Sequence, residues 1–132
     1  MSEFVLRPIG VVRSALKSRA EAPMQGREGA PAAWVEILPA YATALDGLEV
    51  GAEVVLLTWL HQSHREVLRV RPRSDPNRAE RGVFSTRSPD RPNPIGLHPV
   101  TILEVNTSGL RVEPLEAING TPVLDIKPVL RS

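Results

Sequence analysis

Prolines interrupt this chain so often that long helices have little room. Thirteen are spread from Pro8 to Pro128. Each fixes its own φ angle and withdraws one backbone donor. Between them lie short stretches rich in β-branched and large apolar residues, separated by turn signals, which is the pattern of many short strands. "FVLRPIGVVRS" (4–14) reads as a broken strand and "AWVEIL" (33–38) as an alternating one. "EVVLLTWLH" (53–61) is a continuous apolar run with a polar end and the best core strand. "RGVFST" (81–86) reads as a short strand. "PVTILEVN" (99–106) and "GLRVEPLE" (109–116) form a hairpin, and "INGT" (118–121) supplies an Asn-Gly hairpin cue before the last strand, "PVLDIKPVL" (122–130). "AYATALDGL" (40–48) is a short helix. The expected fold is mostly β, a single-domain barrel or curved sheet over residues 1–132 with one or two short helices. The segment 62–80 is poor in apolar residues and reads as a long surface loop.

The chain is long enough for one well-cored domain. It contains no cysteine, which excludes a disulfide scaffold, thiolate zinc and a cysteine nucleophile. No run approaches the roughly 18 apolar residues of a membrane span, and the N-terminus carries charges instead of a signal-peptide core. A cytoplasmic protein without a membrane partner is the expectation. Glycine-rich phosphate fingerprints and a G-x-S-x-G elbow are missing, so a Rossmann nucleotide site and an elbow serine are disfavoured. His61 and His64 make an H-x-x-H pair with no partner at metal-ligand spacing, and no metal is expected.

Charge is unevenly placed. Residues 65–91 hold eight basic and four acidic side chains, net +4, which leaves −3 for the rest of a chain whose total is +1. Fourteen of the sixteen basic residues are arginine, the better fork for phosphate and carboxylate. This loop is either a solvated face or a patch for phosphate contacts. It lacks interleaved aromatics, so base stacking is not indicated there.

The densest signal is "RSPDRPNPIG" (87–96). Pro92 and Pro94 push Arg91 and Asn93 toward extended geometry, which would present both from one side of a stiff rail. Gly96 would let a ligand approach the backbone. The alternative is a rigid barrel corner. Asp125 and Lys127 stand at i and i+2 on one strand face, shared with Val123, as a structural pair or as the lining of a polar pocket. His61 and Gln62 follow the core strand and sit at its mouth, where barrels often bind ligands.

Together these segments resemble the TsaA-like family, also called TrmO. The matching stretches are "IGVVRS" (9–14), "WLHQ" (59–62), "GVFSTRSPDRPNPIG" (82–96) and "NGTPVLDIKPVL" (119–130), in family order. The resemblance implies a β-barrel unrelated to Rossmann methyltransferases, working as a homodimer with S-adenosylmethionine. It implies methylation of N6 of threonylcarbamoyl-adenosine at tRNA nucleotide 37, in the anticodon loop. The implied cofactor contacts are Gln25, Gly26, His61, Gln62, Arg87, Leu97, Leu115, Glu116 and Ala117. Where the family commonly carries Asp-x-x-Asp-Gly-Thr, this chain has Glu116-Ala-Ile-Asn119-Gly-Thr. The C-terminal domain that some members carry is not expected after Ser132. A carbamoylated amine is a poor nucleophile, so a base is sought, with Asp125 first and Glu116 second. Arg87 or Arg91 would hold a carboxylate by a bidentate fork. Arg69, Arg71, Arg73 and Arg78 are then the phosphate contacts, and Asn93 and Lys127 belong to the substrate side. Two other readings stay open: a regulatory module that binds S-adenosylmethionine or RNA without turnover, and a methyltransferase for another substrate.

Overall fold

The computed structural model describes residues 2–20, 22 and 29–130. Six strands close into an antiparallel barrel: β1 (Gly10–Arg13), β2 (Ala33–Ile37), β3 (Glu53–Trp59), β6 (Ile95–Asn106), β7 (Gly109–Glu113) and β8 (Pro122–Pro128). Their order around the wall is β1, β2, β7, β6, β3, β8 and back to β1. Closure leaves no free sheet edge, which is how a small all-β chain avoids edge pairing with others. β4 (Arg69–Val70) and β5 (Arg81–Gly82) pair only with each other, as a ribbon outside the barrel.

Alternation builds the core. Val54 and Leu56 of β3, Val100 and Ile102 of β6, Val12, Val35, Leu110, Val112 and Val123 all point inward and are almost wholly buried. Leu45 joins them from the 3-10 helix Pro39–Leu45, the short helix expected at 40–48. Each large aliphatic side chain so buried is worth about 1.5–3 kcal/mol.

Four sequence expectations are corrected. First, β6 begins at Ile95, so the strand runs straight out of the proline segment. Pro99 is tolerated because β7 pairs with β6 only from Thr101 onward, leaving one flank of Pro99 without a strand. Second, 81–86 is strand only at Arg81–Gly82. A 3-10 turn follows at Val83–Ser85, tied by Ser85 Oγ to Gly82 O and Thr86 Oγ1 to Val83 O. Third, Asn119-Gly120 makes a turn but no hairpin, since β7 and β8 are not neighbours. Asn119 is instead stapled to the chain after β1: its N–H donates to Leu16 O and its Oδ1 accepts from Ser14 N. Fourth, 62–80 is not structureless, because it contains β4 and a 3-10 turn at Pro72–Ser74.

Candidate functional site

Antiparallel order brings distant segments to one end of the barrel. The C-terminal end of β3, the N-terminal end of β6 and the start of β8 lie side by side, with Thr58 opposite Gly96 on one flank and Val123 on the other. The segment 114–121 leaves β7 and runs back toward the same end, with Leu115 and Ala117 buried in the core. This mouth therefore gathers the turn after β3, the proline segment before β6, and the stretch between β7 and β8.

Its rim is clamped by arginines. Leu60 N donates to Pro94 O at 2.8 Å, and His64 N to Asp90 Oδ1 at 2.9 Å. Arg19 donates to Asp90 Oδ2 at 3.1 Å and to Gln62 O at 3.3 Å. Arg65 lies over the Trp59 ring, 5.1 Å from its centroid, and donates to Pro92 O and Asn93 Oδ1. Partial burial works to raise the Asp90 carboxyl, but the His64 N–H and the Arg19 guanidinium outweigh it and hold the group below its ordinary value.

The proline segment is not the extended rail of the sequence reading. The chain bends through 91–93, and Ile95 N closes on Asn93 O at 2.7 Å. Arg91 turns back to donate to Val83 O and Thr86 O, bracing the 3-10 turn. Asn93 is spent on Arg65. Five guanidinium donors in a fixed fork let arginine satisfy several carbonyls at a bend, so Arg91 and Arg65 brace this segment from within the chain. Arg87, in contrast, is exposed and makes no hydrogen bond or ion pair among the described residues.

The remaining candidates fall as follows. His61 and Gln62 are exposed in the turn after β3. Leu97 is on the outer wall, 44% exposed. Asp125 is also on the outer wall, since Leu97 and Asp125 both pair with Leu57, one from each side. A bulge at Leu124 shifts the register there, so Val123 faces the core while Asp125 and Lys127 face out, 3.4 Å apart. The expectation that Val123 shares their face fails for that reason. Arg69 pairs with Glu80, Arg71 donates to Arg78 O, and Arg78 lies 3.9 Å from Asp75, so the ribbon arginines partly stiffen their own loop. Arg73 holds a positive φ of 55° in that loop. Gln25 and Gly26 lie outside the described residues. Among the described residues no three His, Asp or Glu side chains gather as metal ligands, and no helix is long and apolar enough to cross a membrane.

One functional candidate escaped the sequence reading. His98 points into the barrel, 3% exposed. Its Nε2 is 2.6 Å from Thr58 Oγ1, and its Nδ1 is 2.5 Å from Glu116 Oε1. Period-2 alternation back from Ile102 and Val100 would have put His98 inside, had the strand been started at Ile95 instead of Pro99.

Fold and mouth define a class: a small closed antiparallel barrel whose polar rim is built from a proline-rich turn, a strand-end His-Gln and the stretch before the last strand. The sequence profile of the tRNA-methyltransferase O N-terminal domain matches residues 11–132. The chain belongs to that family. Among curated relatives, a probable S-adenosyl-L-methionine-binding protein of Methanothermobacter thermautotrophicus is 51% identical over 96% of this chain and 90% of its own length. An S-adenosyl-L-methionine-binding protein of Archaeoglobus fulgidus is 46% identical over 94% and 88%. Among solved structures, TrmO from Pseudomonas aeruginosa superposes with a TM-score of 0.78 at 32% identity, covering 98% of this chain. The chain spans only 56% of that TrmO chain.

Proposed function

We propose that this protein is an S-adenosylmethionine-dependent methyltransferase acting on N6 of threonylcarbamoyl-adenosine at tRNA nucleotide 37. The observation that carries the reading is the convergence of the family stretches 59–62 and 82–96 with the 115–117 stretch on one barrel mouth. The donor set there suits the cofactor. Arg87 is available for a carboxylate, Leu97 offers an exposed apolar face, and Glu116 keeps a partly accessible carboxylate, 16% exposed. When bound, S-adenosylmethionine supplies an electrophilic methyl group on a sulfonium.

The protein's own work is then orientation, exclusion of water and removal of one proton. Arg87 holds the amino-acid carboxylate. Asp125, half-exposed on the wall beside Leu57, takes the N6 proton, with Lys127 Nζ standing 3.4 Å from its carboxylate. An anticodon-loop base is already unpaired, so little duplex opening is needed. Arg69, Arg71, Arg73 and Arg78 on and around the ribbon meet tRNA phosphates. Exposed Ile95 and Leu97 on the outer wall support a homodimer. A tRNA substrate fits a cytoplasmic location.

Incubation with tRNA bearing threonylcarbamoyl-adenosine, followed by mass spectrometry of nucleosides, tests the reading. A gain of one methyl on that nucleoside supports it, and no gain with active cofactor binding overturns it. The second reading, a binding module without turnover, is favoured by one observation: these curated relatives are named for binding alone.

A further inference from the structure

We propose that Thr58, His98 and Glu116 form a positioning chain that fixes the Leu115–Ala117 stretch against the mouth, with His98 as its hub. The inference rests on the cofactor reading above.

The geometry is that of a directed relay. A carboxylate only accepts, so the Nδ1–H of His98 donates to Glu116 Oε1 at 2.5 Å. In the neutral ring with its proton on Nδ1, Nε2 accepts from the Thr58 hydroxyl at 2.6 Å. The order hydroxyl, imidazole, carboxylate resembles a nucleophilic triad, but Thr58 is wholly buried and cannot meet a substrate. Its hydroxyl therefore orients the ring. A Cβ on residue 96 would stand 2.5 Å from both His98 Nε2 and Thr58 Oγ1. Gly96 is thus required by the chain of bonds inside the wall.

The consequence falls on Glu116. One of its oxygens is committed inward to a buried donor, and its backbone is flanked by two core residues, Leu115 and Ala117. Its carboxylate is held in one orientation, with its side chain still 16% exposed. Such a group serves as a fixed acceptor for a donor on the bound cofactor, and not as a mobile base. His98 acts through Glu116 and is a positioning residue. Supporting shells of this kind keep a site within the tolerance that binding demands.

The test compares His98→Leu, His98→Asn and Thr58→Val with the unaltered protein. S-adenosylmethionine affinity is read by calorimetry, and folding by urea midpoint. Asparagine keeps a donor where Nδ1 stands, and valine keeps the shape of threonine without its hydroxyl. His98→Leu should weaken cofactor binding about tenfold or more, the worth of a hydrogen bond to a charged group. His98→Asn should recover most of that loss. Thr58→Val should fold and bind several-fold more weakly. A far-downfield imidazole N–H proton should appear in the unaltered protein and vanish in Glu116→Ala. If the unaltered protein does not bind the cofactor, the function reading fails. If it binds, and folded His98→Leu and Thr58→Val both bind as tightly as it does, the positioning chain alone is overturned.

Discussion

His98 Nδ1 and Glu116 Oε1 stand 2.5 Å apart across 18 residues of sequence, which ties the start of β6 to the stretch that leads into β8. Gly96 faces the same cluster from two residues earlier on β6. Gly96→Ala should therefore cost about 1–3 kcal/mol, as overpacking does. It should also weaken cofactor binding, because the ring or the threonine must shift. Urea unfolding and calorimetry on one preparation check both. A variant as stable and as tightly binding as the parent would contradict the arrangement.

Arg87 offers the opposite profile. It braces nothing within the described chain, so Arg87→Ala should leave stability within ~0.5 kcal/mol. Cofactor affinity should fall about tenfold or more, since a charge-assisted fork to a carboxylate is lost. Equal affinity would remove Arg87 from the site.

Asp90 joins Arg19 to His64, and the folded carboxyl titrates below its ordinary value of 3.8. Its contribution is complete above that value and is lost as pH falls through the lower, folded one. Asp90→Asn keeps an acceptor for His64 N but loses the ion pair. The variant should be less stable by about 1 kcal/mol near neutral pH, a modest figure because Arg19 is partly solvent-screened. The gap between the two proteins should close below pH 4. A gap that stays constant from pH 7 to pH 3 would show that the clamp is not ionic.

Asp125→Asn preserves the side-chain oxygen that accepts from Ile126 N at 2.9 Å, so the barrel should be undisturbed. Turnover should drop by about 10²–10⁴ if this carboxylate takes the N6 proton. Cofactor affinity should change less than about threefold. Full turnover in the variant would assign the proton elsewhere.

Much of the barrel could be read before its structure was known. β2, β3, β7 and β8 follow from apolar runs between turn signals, because alternation and β-branching act locally. What escaped was long-range. No local rule says that β8 closes on β1, or that Asn119 binds Ser14 and Leu16 instead of turning a hairpin. The bulge at Leu124 is one residue wide and reverses which neighbours share a face. His98 was hidden because proline at 99 looked like a strand start. Sequence presents Arg91 as a cation on a stiff turn, yet two backbone carbonyls of a preceding turn take its donors. The motif residues were legible as a group, since stiff polar turns with arginine stand out in sequence. Their division into braces and free groups required coordinates.

The clamp beneath the ribbon has one more consequence. Arg65 bonded to Asn93, and His64 to Asp90, pinch the chain where it leaves the barrel mouth and where it returns. Residues 66–86 are thus a cassette closed at its base. Arg91, beyond the cassette, also reaches back to Val83 O and Thr86 O, so the last turn of the cassette is tied to the proline segment. Ribbon and mouth therefore share one frame, and a substitution that cuts Arg65 from Asn93 or Arg91 from Val83 loosens both.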